Sequence, residues 1–246
     1  MTAGRFTDRA VLVTGASAGI GRATALEFAR GGADVALVAR TKERLDELAN
    51  LLEETYDVDA LVSPADVREE QQVESAVDRT VDAFGRLDVV VSNAGCLRGS
   101  AVEELTTAAY RTMMETNVDG TFFLTRAAIP HLKRSNGNLI VIGSFAGQYP
   151  RPFNPVYAAS KWWVRGFAHS VEASIGSDGV AVTVVNPSEV RTEIETVDGK
   201  PFTERYEEGE VTEPEEVAKA VCFAAGQENS TISELDVYRR DKFSHF

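Results

Sequence analysis

The 246-residue chain sets 38 acidic side chains against 25 basic ones, and its net charge of -13 with a pI near 4.8 argues against nucleic acid and anionic membranes as partners. Its length suits one domain over residues 1–246, and apolar runs such as Val89-Val90-Val91 and Leu139-Ile140-Val141-Ile142 are too short to cross a bilayer. No signal-peptide segment opens the sequence, and Cys96 with Cys222 makes neither a disulfide framework nor a zinc cluster, so a cytoplasmic location is expected.

Short β-branched runs alternate with amphipathic stretches, the pattern of helices wound about a parallel sheet. Residues 10–13 read as the first strand and 21–30 as the next helix, stopped by Gly31-Gly32. Thr14-Gly-Ala-Ser-Ala-Gly-Ile-Gly21 joins them, and glycines there let backbone approach a pyrophosphate whose charge the helix N-terminus stabilises. Strand 35–38 leads to a helix at 42–56, marked by Leu45, Leu48, Leu51 and Leu52, and strand 60–62 to a helix at 69–84 that Gly85 should end. Strand 87–92, a long helix over 110–132, strand 138–142, a helix at 157–175 and strand 180–185 follow, with a last strand at 232–237. The polar, acidic stretch 188–211 reads as a mobile loop or short helices.

Tyr157 and Lys161 lie four residues apart on a predicted helix, which brings them onto one face about 6 Å apart. An ammonium at that distance favours phenolate, so the tyrosine could exchange protons with an alcohol or carbonyl near neutrality. Lysine is otherwise scarce, at Lys42, Lys133, Lys200, Lys219 and Lys242. That balance is either the acidic surface of a salt-adapted, halophilic protein or that of an ordinary acidic cytosolic enzyme.

The Gly15, Gly19, Gly21 spacing resembles the TGxxxGxG element of the short-chain dehydrogenase/reductase family. The likeness runs on through Asp66-Val67, Ser92-Asn93-Ala94-Gly95, Met114-Glu-Thr-Asn117, Ser144, Tyr157 with Lys161, and Asn186-Pro187. It implies an α/β, Rossmann-like doubly wound domain with a seven-stranded parallel sheet flanked by helices. It also implies an oxidoreductase, a short-chain alcohol dehydrogenase or carbonyl reductase, interconverting a secondary alcohol and its carbonyl. A family member doing dehydration or epimerisation, an NAD(H)-dependent one, or a non-catalytic nucleotide-binding regulatory protein are the alternatives.

By that resemblance Tyr157 is the acid–base group, Lys161 lowers its pKa and bonds the nicotinamide ribose, Ser144 polarises the substrate oxygen, and Asn117 anchors a water leading to Lys161. Gly15, Gly19, Ile20 and Gly21 take the pyrophosphate side, Ser17 adds a hydroxyl donor near the 2′-phosphate, Asp66 and Val67 take the adenine, Asn93, Ala94 and Gly95 match a further cofactor element, and Pro187, Ser188, Val190 and Thr192 take the carboxamide. Ser188 departs from the usual Pro-Gly. NAD-selecting members carry an acid at the tip of the second strand, whereas here Ala39 is followed by Arg40 and Thr41, which favours NADP(H) through a bond from the guanidinium to a 2′-phosphate. Alternatively Arg40 is only a solvated charge.

Phe145, Gln148, Tyr149 and Phe153 are candidate substrate contacts, with Leu97 and Glu189 opposite, although aromatics there serve packing or subunit contacts equally well. The helix of Trp162 and Trp163 is expected to meet a second subunit in a homodimer or homotetramer. His131, His169 and His245 are too scattered for a metal site. The C-terminal Ser233-Glu-Leu-Asp-Val-Tyr-Arg-Arg stretch is similar to a branch of the family acting on small hydroxy acids.

Overall fold

Residues 4–194 and 200–244 are described by the structure, a computed structural model. Strands β1 (Ala10–Thr14), β4 (Val89–Ser92) and β5 (Asn138–Ile142) are buried along their whole lengths, as continuous apolar runs must be when helices cover both faces of a parallel sheet. With β2 (Asp34–Ala39), β3 (Ala60–Pro64), β6 (Ala181–Pro187) and β7 (Glu234–Val237) they form one seven-stranded sheet in the order β3-β2-β1-β4-β5-β6-β7, every pairing parallel. Two apolar layers hold it: Phe6, Phe28, Leu45, Leu48 and Val221 on one face, Val73, Leu124, Leu132 and Val164 on the other.

Helix α1 (Gly19–Arg30) starts where β1 ends, α2 is Lys42–Tyr56, and α3 (Glu70–Phe84) stops at Gly85 with φ 72°, a left-handed turn that suits glycine. The helix expected at 110–132 is interrupted. α4 (Thr107–Met114) and α5 (Gly120–Ser135) flank a π-turn at Glu115–Asp119, which inserts one extra residue without disturbing the apolar spacing enough to read in the sequence. α6 is Pro155–Ile175, with proline in its first turn.

Other limits shift. β4 starts at Val89 because Asp88 is engaged with Arg86 and accepts from the backbone N–H of Ala10 at 2.9 Å, while β7 starts at Glu234 and β6 runs on to Pro187, opposite Val237. The 188–211 stretch holds the short helix α7 (Phe202–Arg205), and Val190 bridges to Thr212; residues 195–199 of it lie outside the described residues, as does His245. Helix α8 (Pro214–Ala225) was not expected from the sequence, although Glu213 and Glu216 form a capping box at its start and Val217, Val221 and Cys222 are buried against α1. No helix among the described residues is long and apolar enough to cross a membrane.

Candidate active site

The carboxyl ends of β1, β2, β4, β5 and β6 open on two cavities, of about 580 and 360 Å³, which share Ile20, Asn93, Gly95, Cys96, Thr192 and Ile194 in their walls. The smaller lies over the β1–α1 turn. Gly15 and Gly19 have φ 67° and 51°, and a Cβ on Gly15 would sit 2.7 Å from the Asn93 amide. Ala18, the residue before α1, offers no side-chain cap, so the first N–H groups of a twelve-residue helix stay available for an anion. Gly21 does not line the cavity; a Cβ there would lie 2.2 Å from the Gly15 carbonyl oxygen, so its place is close packing beneath the turn.

Ser17, Arg40, Thr41, Asp66, Val67 and Ala94 line the same cavity as expected, and Arg44, Arg68, Arg98 and Cys96 join them unannounced. Asp66 is held below the usual carboxylate range, chiefly by its hydrogen bond from Arg68, whose Nη2 is 2.6 Å away. Arg44 pairs with Glu193 at 2.7 Å. Arg40, exposed at the end of β2, makes no hydrogen bond or ion pair among the described residues, which leaves its guanidinium to a ligand. The fit to a dinucleotide carrying an additional phosphate is therefore good: uncapped N–H groups for the pyrophosphate and an unengaged cation beside the ribose position.

The Asn93 side chain is not turned to the cavity alone. Its Nδ2 donates to the Thr14 carbonyl at 2.8 Å, and the Thr14 hydroxyl accepts from the N–H groups of Asn93 and Ala94 at 3.0 and 3.1 Å. These bonds pin the end of β4 to the glycine turn.

Ser144, Tyr157 and Lys161 line the larger cavity, with Pro187, Ser188, Val190 and Thr192 facing them. The Ser144 N–H donates to Asn186 Oδ1 at 3.2 Å and its Oγ accepts from the Ala146 N–H at 3.1 Å, which holds the hydroxyl at the exit of β5. Burial pushes the Tyr157 phenol up, and a hydrogen bond with Ser144 partly offsets that. The expected lowering by Lys161 is not found. Burial takes Lys161 down from 10.5 to about 8, and its Nζ donates to the Ile142 carbonyl at 2.8 Å, so the ammonium is engaged with backbone.

Asn117 lines neither cavity. From the π-turn its Oδ1 accepts from the Cys96 N–H at 2.9 Å, and its Nδ2 donates to the Cys96 carbonyl at 3.0 Å and to Ser160 Oγ at 3.1 Å. The Asn117 side chain thus joins the segment after β4 to α6.

Of the candidate substrate contacts, Phe145, Phe153, Glu189 and Leu97 line the larger cavity. Gln148 and Tyr149 do not. Gln148 donates to Glu234 and Asp236 at 2.8 and 2.9 Å, while Tyr149 stacks on Phe145 with ring centres 4.4 Å apart. Both directly follow the short 3-10 turn Phe145–Gly147, and the bonds of Gln148 draw it to β7. Arg151, Phe202, Tyr206 and Lys242 reach the cavity instead. Arg151 was legible, as a cation between Ser144 and Tyr157; Lys242 was not, because only the return of the chain past β7 brings it there. No group of three or more potential metal ligands occurs among the described residues.

Residues 9–200 match the family model described as short chain dehydrogenase. The sulfoacetaldehyde reductase 2 of Chromohalobacter salexigens is 35% identical over 222 residues, 87% of each chain. An alcohol dehydrogenase from the archaeon Thermococcus sibiricus, complexed with 5-hydroxy-NADP, superposes with a TM-score of 0.87 at 29% identity, covering 94% of this chain and 97% of that one. A 3-ketoacyl-(acyl-carrier-protein) reductase from Brucella melitensis, complexed with NADH, gives a TM-score of 0.84 at 27% identity over 95% and 98% of the two chains.

Proposed function

The chain belongs to the short-chain dehydrogenase family, an oxidoreductase family, and from that premise we propose that it interconverts a secondary alcohol and its carbonyl using NADP(H). The observation that carries the reading is a single cavity wall bearing Ser144, Tyr157 and Lys161, continuous with a glycine-turn cavity edged by Arg40. When bound, the nicotinamide supplies or accepts the hydride.

The rest belongs to the chain. Ser144 donates a hydrogen bond to the substrate oxygen and stabilises the charge that builds there. Tyr157, kept protonated by burial, gives its phenolic proton to that oxygen in reduction and takes it back in oxidation. A substrate and a nicotinamide ribose entering the cavity offer Lys161 partners besides Ile142, and the ammonium then lowers the cost of the phenolate. Asn117 is a positioning residue, holding the Cys96 segment against the helix of Tyr157. Arg40 supports NADP(H) over NAD(H), although relatives are known with either nucleotide bound. Residues 1–246 work in this reading as one dinucleotide-binding and catalytic domain in the cytoplasm, with the described parts of 188–211 lining the substrate cavity and no metal, in a homodimer or homotetramer.

Purified protein assayed against ketones, hydroxy acids and sugars with NADPH and NADH tests it directly by nicotinamide absorbance. Tyr157→Phe should lower kcat by about a hundredfold to ten-thousandfold while NADP(H) affinity stays within a few fold. Near-normal turnover in that variant refutes the assignment.

A further inference from the structure

We infer that the physiological substrate carries a small oxyanion, a carboxylate or sulfonate, which Arg151 holds in the catalytic cavity by charge-assisted hydrogen bonds. The inference rests on the oxidoreductase reading of that cavity and adds the substrate class. Arg151 lies on the loop between Ser144 and α6 and lines the cavity together with Ser144 and Tyr157. Its charge reaches the reacting group, since it is one of the influences that lower the Tyr157 pKa.

The guanidinium lies over the Phe145 ring, 5.5 Å from its centre, and its one carboxylate contact among the described residues is a long one, 4.0 Å to Glu189. None of its N–H groups donates a hydrogen bond among the described residues. Glu189 is engaged through one oxygen, while its buried Oε2 has no hydrogen-bond partner among the described residues. Its Oε1 takes Lys242 Nζ at 2.6 Å, and the lysine, with a side chain only 8% exposed, also rests 4.2 Å from the Phe145 ring centre.

Glu189 therefore neutralises Lys242, and nearby Arg239 has Asp241 at 2.9 Å, so the charge of Arg151 is left over. In a chain with 38 acidic and 25 basic residues, an uncompensated cation beside the catalytic hydroxyls is the reverse of the bulk charge. Its fork of donors suits a planar carboxylate in bidentate fashion and takes a sulfonate as well.

The test pairs C3–C6 oxo acids with their methyl esters, adds sulfoacetaldehyde, and follows NADPH oxidation by the intact protein. Acids or the sulfonate should exceed the esters in kcat/KM by about tenfold to a hundredfold, the span of one or two charge-assisted hydrogen bonds. The better of the two anions identifies the head group. Arg151→Met should erase that preference, with the loss for acids falling mainly on KM, and Arg151→Lys should restore part of it. Esters turned over as well as acids overturn the inference and leave the oxidoreductase reading standing; no turnover of any carbonyl with either nucleotide overturns that reading, and this one with it. A readout without turnover uses the wild-type protein alone: butanoate or ethanesulfonate should raise its melting temperature where butanol does not. Equal shifts with all three overturn the inference even if Arg151→Met fails to fold.

Discussion

Arg40 and Lys161 show how a single charge acts differently in the open and in the interior. Exposed Arg40 makes no hydrogen bond or ion pair among the described residues, so its main contribution should appear with ligand: its replacement removes a charge-assisted bond worth roughly 1.5–3 kcal/mol, and NADP(H) affinity should fall at least tenfold. Ala39→Asp with Arg40→Ile should reverse the preference toward NAD(H), as titration of both nucleotides by fluorescence would register. Preference for NAD(H) in the unaltered protein would contradict the role given to this strand end.

Lys161 is buried, with a folded pKa of about 8 against 10.5 ordinarily. Between those values the unfolded chain binds a proton that the folded chain does not, so stability of the cofactor-free protein should rise with pH from about 8 upward. Tyr157, raised above 10.0, works in the opposite sense beyond that pH, and buried Cys222, raised well above 9.0, opposes the rise within the lysine's window, so denaturant titrations at pH 7.5 and 9.5 read the lysine as the difference between the unaltered protein and its Lys161 variant. Lys161→Met should lose both the rise and the turnover. An unchanged rise in that variant would show that another group titrates.

Among the elements, β7 reaches into the site through side chains. Glu234 accepts from Arg165 at 2.6 Å and from Asn186 Nδ2 at 2.5 Å, and the other end of the Asn186 amide holds the Ser144 N–H, so an edge strand steadies the residue proposed to polarise substrate. The Arg165 pair is the largest influence holding Glu234 down at about 2. This stabilisation is complete above pH 4.5 and is lost as pH falls toward 2; after solvent screening it amounts to about 1–2 kcal/mol. Glu234→Ala should flatten the acid limb of a stability–pH curve and lower kcat severalfold with little change in NADP(H) affinity. Unaltered kcat would sever the strand from the site. Neither Glu234 nor Lys242 carried any sign of this in the sequence, since both act across more than forty residues of intervening chain.

At the scale of the whole molecule, charge and exposed apolar surface pull against each other. With a net charge of -13, like-charge repulsion should weaken the protein in dilute buffer, and molar salt contracts the Debye length to about 3 Å. Melting temperature and activity should therefore climb as potassium chloride goes from low to molar concentration. Trp162 and Phe122, 48% and 38% exposed on α6 and α5, offer the apolar contact that an assembly in salt requires. Trp162→Glu should reduce the mass seen by light scattering. A flat melting curve across the salt series, with an intact oligomer in dilute buffer, would point to an ordinary acidic enzyme.

By itself the sequence determined what depends on neighbouring residues: strands from β-branched runs, the glycine turn at Gly15 and Gly19, and the Tyr157–Lys161 face of one helix. Local periodicity and backbone sterics act over a few residues and leave their marks there. Tertiary structure decided the rest. The π-turn under Asn117, the lysine drawn to the Ile142 carbonyl instead of to the phenol, the loss of Gln148 to β7 and the arrival of Lys242 beside Glu189 all depend on which strand ends meet and on the water removed when they do. Burial changes the energy of a charge by more than its sequence neighbours do, which is why local spacing in the sequence could suggest candidate residues but not their electrostatics.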